Sequence, residues 1–395
     1  MTINRPVHDR PTWVAYIQLA FFSWYTYGLG ATMALLRDEQ GTSRWLSSLH
    51  LTAAAIGGII GGLLAARAID RWGRGVVLRA STLLMAAGLL VYTSTTGGPA
   101  VTMTGLFLVG VTSAFVLISI NAFILDHQGA AGPPALTEAN ALASFSGLFG
   151  PLAVGIGAAT VLGWRIGIWV VVIGFIAIEI WRGRNTAVFG APGEVVSHDE
   201  ESQLSRRVFW SLGVIMCFLA TEFSLAYWGA DLLRERASYG PAAAAASLTA
   251  LTGGMFFGRF FGSRIAERMS TELILKASIV VALGGFAIAW AFTNGAVIII
   301  GLIVTGIGIG VHWPPGVARV VRASGGLTDR ATAAASVAGS VAIGIAPFAL
   351  GFLSDTIGFH VAFLLVPAFL VTALVLMIAR PVSEVSGPRV VSVFE

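Results

Sequence analysis

The chain has 395 residues, of which 56% are hydrophobic and only 11% charged, and its mean hydropathy is +0.83. That composition excludes an ordinary soluble domain and points to lipid. The formal charge of +4 does not signal nucleic-acid binding, because the basic residues stand at the ends of apolar runs and not on one soluble face. The single cysteine, Cys217, excludes intrachain disulfides and cysteine-based metal sites.

A spanning helix needs roughly 20 apolar residues, and twelve apolar runs occur, at 13–36, 46–66, 77–97, 101–125, 138–162, 165–181, 208–231, 241–266, 273–293, 296–319, 331–354 and 359–379. Helix is the expected state throughout, since lipid offers a bare backbone amide no partner and the alternation of a membrane barrel is absent. Arg5 and Arg10 precede the first run as they would a signal peptide, but that run is too long for an h-region and reads as the first span. It carries Trp24, Tyr25 and Tyr27, aromatic candidates for a substrate cavity. The second run contains Gly57, Gly58, Gly61 and Gly62, which permit close helix approach, either as static packing or as a surface that slides.

Between spans two and three lies Ala66-Arg-Ala-Ile-Asp-Arg-Trp-Gly-Arg-Gly75. A carboxylate and several guanidinium groups at a helix-helix turn can bond to a neighbouring helix end and latch that face, or anchor topology. Asn121 in span four is a polar cavity candidate, and Asp126, His127 and Glu138 flank a solvated turn. Span five reads Ser146-Gly-Leu-Phe-Gly-Pro-Leu-Ala-Val-Gly155, where Gly150 and Pro151 predict a kink. The polar stretch from Arg182 to Arg207 is a connector.

Span seven holds Glu222 about fourteen residues into its run, past the expected midplane, among apolar neighbours, Thr221 and Ser224. An ionisable residue inside a span is a functional candidate by default; these surroundings suit a carboxylate that binds and releases a proton, or a neutral structural acid. Trp228 follows six residues later as a cavity candidate, and Asp231, Arg234, Glu235 and Arg236 at the outer end form either an external gate or a solvated rim. In span ten His312 stands beside Trp313, Pro314 and Pro315, whose prolines break the helix; it reads either as a proton relay or substrate contact, or as a packed side chain. Pro347 kinks span eleven. The tail beyond Arg380, with Pro381, Gly387 and Pro388, reads as unstructured.

The chain also repeats. Arg67, Asp70, Arg71, Arg79 and Ser81 recur as Arg264, Glu267, Arg268, Lys276 and Ser278 at an offset of 197, and Gly105, Gly110, Pro151 and Gly155 recur as Gly301, Gly306, Pro347 and Gly351 at an offset of 196. Two like halves of six spans follow. With the amino terminus inside, nineteen basic residues face the cytoplasm against five outside, which places both termini there.

The 66–75 segment resembles the signature loop of the major facilitator superfamily, G-x-x-x-D-R-x-G-R-R: Asp70, Arg71, Gly73 and Arg74 match, while Ala66 and Gly75 depart from it. The degraded copy at Glu267 and Arg268 fits the duplicated halves of that family. The resemblance implies an all-α membrane protein of twelve spans in two pseudo-symmetric six-helix bundles, 1–183 and 207–381, with a cytoplasmic linker at 184–206 and a tail at 382–395. It also implies a cytoplasmic gate from Asp70, Arg71, Arg74, Glu267 and Arg268, and a central cavity lined by spans one, four, seven and ten, which brings in Trp24, Tyr25, Tyr27, Asn121, Glu222, Trp228, His312 and Trp313. The span-five segment partly resembles the Gly-Pro motif of exporters in the same superfamily, with Ser146 where glycine is usual.

The function expected is secondary transport of a small neutral or amphiphilic organic molecule by a functional monomer in a bacterial inner membrane, coupled to protons through Glu222 and His312. Drug-like efflux by antiport leads, with import by proton symport of a sugar or other metabolite as the alternative. A non-transporting membrane sensor is the rival of another class. No nucleotide-binding loop, metal-ligand spacing or nucleophile elbow is present, so no enzyme activity, metal, cofactor or nucleic-acid partner is expected.

Overall fold

The computed structural model describes residues 5–190, 205–265, 269–325 and 327–382. Within them the regular structure is helical. Nine helical stretches meet the length and hydropathy of a membrane crossing; Gly98–Ala158 reverses at Gly129 and holds two crossings, and the shorter Ile166–Arg182 and interrupted Pro241–Ile265 complete twelve.

Spans one to four are continuous helices, Arg10–Gln40, Arg44–Trp72, Arg74–Tyr92 and Gly98–Gln128. Span five is Gly132–Gly147 followed by Phe149–Ala158, broken at Leu148 because Pro151 has no N–H for the Gly147 carbonyl. Span six is Ile166–Arg182 and span seven Arg206–Ala237. Span eight joins Pro241–Ser247 to Thr249–Ile265, span nine is Thr271–Ala291, and span ten breaks between Gly295–Gly310 and Trp313–Ala323 at the double proline. Span eleven, Thr328–Ile357, runs uninterrupted through Pro347, and span twelve joins Phe359–Ala362 to Leu365–Ala379. Side-chain caps open several spans: Asp9 Oδ1 accepts from Thr12 N, Ser43 from Leu46 N, Ser270 from Leu273 N and Asn294 from Ala296 N.

The glycines show what the duplication encodes. A Cβ on Gly57 would sit 2.2 Å from the Phe107 carbonyl oxygen, and one on Gly110 would sit 2.0 Å from that of Ala54. In the other half, Gly254 faces the Ile303 oxygen at 2.2 Å and Gly306 the Leu251 oxygen at 2.3 Å. Spans two and four, like eight and ten, therefore touch backbone to backbone. The outward faces carry exposed Leu63, Ile173, Ile180 and Ile378, as a lipid-facing surface requires.

The halves meet unevenly. At the face remote from the termini, span two lies along span eleven: Thr52 Oγ1 donates to Gly344 O at 2.7 Å, and Gly351 fits against Arg44 O and Ser48. Farther along the same seam Gly58, about halfway down span two, lies against Ser340. A Cβ on Gly155 would meet Ala246 at 2.5 Å, so span five touches span eight by small residues.

Candidate functional site

At the remote face the outer ends of spans one and seven exchange charges. Arg37 forks onto Asp231, donating through Nη1 to Oδ2 at 3.1 Å and through Nη2 to Oδ1, and Arg234 donates to Asp38 at 2.7 Å. Arg44 pairs with Glu235, and Trp45 N donates to Asp355 at 2.9 Å. Asp231 is buried, so the ends of spans one and seven are sealed together there and the Asp231 carboxylate is not a solvated rim charge. A pocket of about 410 Å³ opens over it, lined by Arg37, Arg44, Asp231 and Arg234 among others. Beneath, Tyr227 donates to Ser47 O at 2.6 Å.

On the terminal face, ion pairs among the described residues join groups of the same half: Arg74 with Asp126 at 2.7 Å, His127 with Asp9 at 2.7 Å, Arg79 with Glu179 at 3.3 Å, and Arg319 with Glu272 at 2.7 Å. Asp70 and Arg71 are exposed, with Arg71 lying over Trp72. Of the expected gate, Arg74 is tied to its own half; Glu267 and Arg268 lie outside the described residues.

Between the faces, four side chains from both halves converge. Tyr27 of span one donates to Glu222 Oε1 at 3.1 Å, and Arg259 of span eight donates through Nη2 to the Tyr27 hydroxyl at 2.9 Å. Arg259 Nη1 also donates to Ser144 of span five at 3.2 Å, and its Nε to Gly310 O at 3.3 Å. The guanidinium lies 3.7 Å from Glu222, and Glu222 is 5% exposed. Because the helix continues past residue 231 to Ala237, Glu222 stands sixteen residues from Arg206 and fifteen from its other end, at mid-depth and not past it.

The other expected site residues lie apart from this cluster. Trp24 donates to Gly167 O at 2.9 Å and stacks on Phe149, fastening spans one, five and six. Tyr25, the repeat counterpart of Glu222, is buried against Phe22 in its own half. Trp228 is wholly buried, donates to Pro347 O at 3.0 Å and carries Arg37 over its ring, so it belongs to the remote seal and not to a cavity wall. Trp313 packs between spans seven and eleven near Gly339. Asn121 is half-buried on span four. His312 is buried with its ring stacked on Phe218 at 4.0 Å, and neither ring nitrogen has a hydrogen-bond partner among the described residues. Gly150 sits where a Cβ would strike Trp24 O at 2.4 Å, so it seats span five on span one within one half; Gly155 is what touches the other half.

Arg259 is the residue that the sequence reading misplaced. Counted with the cytoplasmic arginines, it lies six residues inside the helix end and within the cluster. The available signal was its position within the apolar run 241–266.

The sequence profile of the Major Facilitator Superfamily matches residues 15–296. No curated protein matches the chain significantly. Solved structures share its fold: a mutant of the nucleoside transporter NupG at 11% identity and TM-score 0.75, covering 93% of this chain and 98% of that one; and a bacterial homologue of the human lysosomal transporter Spinster, inward-facing and occupied, at 13% identity and TM-score 0.74, covering 95% and 96%. A bacterial homologue of the human drug peptide transporters is similar at 12% identity and TM-score 0.71, covering 93% and 98%.

Proposed function

The chain belongs to the Major Facilitator Superfamily of membrane transporters, and from that premise we propose that it moves a small organic molecule across a bacterial inner membrane by alternating access, coupled to protons through Glu222. Residues 1–183 and 207–381 are the two rocking bodies, joined by the linker at 184–206, and a monomer suffices. The positive-inside count assigns the termini to the cytoplasm. The sealed remote face and the exposed Asp70 loop then correspond to a transporter closed outside and open inside, with its cytoplasmic latch released.

The observation that carries the reading is the Glu222–Tyr27–Arg259 cluster. Its bonds cross between the halves at mid-depth, so protonating or deprotonating Glu222 changes a contact that every change of access must make or break. Tyr27 and Arg259 replace Thr221 and Ser224 as the partners of the acid: Thr221 donates to Cys217 O instead. His312 stands outside this network and serves as a second, independent candidate for proton handling.

Efflux by antiport is the first reading of direction, resting on the Gly-Pro segment that ends in Gly155 at the seam between halves. Symport is the second, and Arg259 favours it, because a fixed cation beside Glu222 suits simultaneous binding of a proton and a substrate acceptor group. In proteoliposomes with an imposed pH gradient, Glu222→Gln is expected to abolish gradient-driven accumulation while leaving exchange without a gradient. Accumulation at the parent level in that variant refutes proton coupling through Glu222, and inside-out against right-side-out vesicles decide direction.

A further inference from the structure

Two arginines inside the helix packing of the carboxyl-terminal half are built differently, Arg319 buried and Arg259 partly exposed. Arg319, whose side chain is 1% exposed, is bonded directly to a carboxylate: Nε donates to Glu272 at 2.7 Å, with Nη1 donating to Ser211 at 2.7 Å and Nη2 to Arg380 O at 2.7 Å. It is a tie holding spans nine, ten, seven and the end of twelve together. Arg259 likewise commits one hydrogen from each nitrogen, at longer distances of 3.3, 3.2 and 2.9 Å, but none goes to a carboxylate: among the described residues its paired acid, Glu222, lies at 3.7 Å, beyond hydrogen-bonding distance. Of five N–H groups, two on the terminal nitrogens stay uncommitted, and 27% of the side chain is exposed. A guanidinium that never loses its charge is costly at this depth, and this one is held by neutral hydroxyls in an accessible place.

Charge accounting then restricts what binds. With Glu222 ionised, the pair is neutral. Protonating Glu222 leaves a net positive charge in a medium of low dielectric constant, where an incoming anion restores neutrality and a cation is repelled. A neutral ligand leaves the charge uncompensated. Phe145 follows Ser144 on span five, and Phe256 lies one turn before Arg259 on span eight; their rings are 6.1 Å apart across the seam between the halves, with Phe145 47% exposed. The two spans that carry the Arg259–Ser144 bond thus also carry an exposed aromatic pair across the same seam.

We infer that the substrate is an amphiphilic organic monoanion, its charged group held by Arg259 with Tyr27 and Ser144 once Glu222 is protonated, and its apolar part lying on Phe145 and Phe256. The inference rests on Glu222 as the proton-binding group and takes the symport reading over antiport: proton and anion load together and cross as a neutral pair. The groups facing Glu222 are Tyr27 from span one and Arg259 from span eight; His312 of span ten is stacked on Phe218, a turn away, and span eleven brings Ala342 and Ala346 against this part of span seven.

The test is isothermal titration of the purified full chain with benzoate, phenylacetate and octanoate against their primary amides. At least one acid is expected to bind about tenfold or more tighter than its amide, as a charge-assisted fork requires. Its affinity should fall between pH 6 and pH 8, with one proton taken up per anion in buffers of differing ionisation enthalpy. Glu222→Gln should bind the acid at least as tightly as the parent and without pH dependence. Arg259→Lys should keep a weakened preference for the acid, and Arg259→Gln should lose it. Equal binding of acids and amides, no binding of any of the three acids, or pH-dependent anion binding surviving in Glu222→Gln overturns the inference. If acids and amides bind alike while Glu222→Gln still abolishes gradient-driven accumulation, the anion assignment fails alone. If Glu222→Gln accumulates like the parent, the coupling reading fails.

Discussion

Substituting Asp231 by Asn should open the remote face, and the size of the effect follows from burial. The Arg37 and Asp231 side chains are 10% and 3% exposed and share two hydrogen bonds. Removing one partner of such a pair costs about 3–5 kcal/mol, because the other charge stays buried and unpaired. The neighbouring Arg234–Asp38 pair, with Asp38 43% exposed, contributes only about 0–1 kcal/mol, so Arg37–Asp231 dominates the seal. Once the face opens, both groups reach water and the penalty disappears, so the loss falls on the closed state and shifts the equilibrium toward opening by about a hundred- to a few thousand-fold. The assay is labelling by a membrane-impermeant maleimide of Ser47→Cys in a Cys217→Ala background. Ser47 is 2% exposed, and its carbonyl, not its hydroxyl, accepts from Tyr227, so the thiol spares that bond. Asp231→Asn should speed labelling by about tenfold or more, and Arg37→Ala with Asp231→Ala should return it toward the parent rate, since no lone charge remains. Ser119→Cys, buried within span four, should stay unlabelled and so separate opening from unfolding. Labelling at the parent rate in Asp231→Asn refutes the reasoning.

Other outcomes follow from single contacts. A Cβ on Gly30 would lie 2.1 Å from Ala226 O, a backbone atom that has nowhere to go, so Gly30→Ala should also accelerate Ser47→Cys labelling by holding spans one and seven apart. Arg319→Ala strands Glu272, whose side chain is 14% exposed, and should cost about 3–5 kcal/mol, read as a lowered Tm in detergent. Partial burial pulls the Asp9 carboxyl upward, but bonds from the Thr12 hydroxyl and amide and the contact with His127 outweigh it and hold the group below its ordinary 3.8. A depressed carboxylate stabilises the fold above the unfolded value and loses that contribution as pH falls through the folded one; Asp9→Ala should therefore lower Tm at pH 7 by an amount worth about 1 kcal/mol and make little difference near pH 2.

Much of the fold was legible because its signals are periodic or repeated. The twelve runs follow from hydropathy alone, and the repeat pair Gly110 and Gly306 makes matching backbone contacts, to Ala54 O and Leu251 O. The break in span five follows from one missing N–H at Pro151, although Pro347 bends no such gap into span eleven, where the helix tolerates it and the Pro347 carbonyl receives Trp228. The site was half legible. Glu222 and Tyr27 stood out as polar groups in apolar runs, but repeat register pointed to Tyr25, and register says which residues are equivalent, not which meet across the seam. Two residues along a helix turn a side chain by about 200°, which separates the buried Tyr25 from the bridging Tyr27. Arg259 was lost to a topology count that treats every arginine near a helix end alike. The charges at 231–236 offered no means of choosing between a gate and a rim, because their partners, Arg37, Asp38 and Arg44, lie about 190 residues away.

Glu222 stands sixteen residues from one end of its helix and fifteen from the other, and that centring has an electrical meaning. Moving one elementary charge through the full membrane field changes its energy by about 2.3 kcal/mol per 100 mV. A proton reaching Glu222 from either side crosses about half of that drop, so voltage acts with equal weight on loading and on release. Neither step is shielded from the membrane potential, and neither bears all of it.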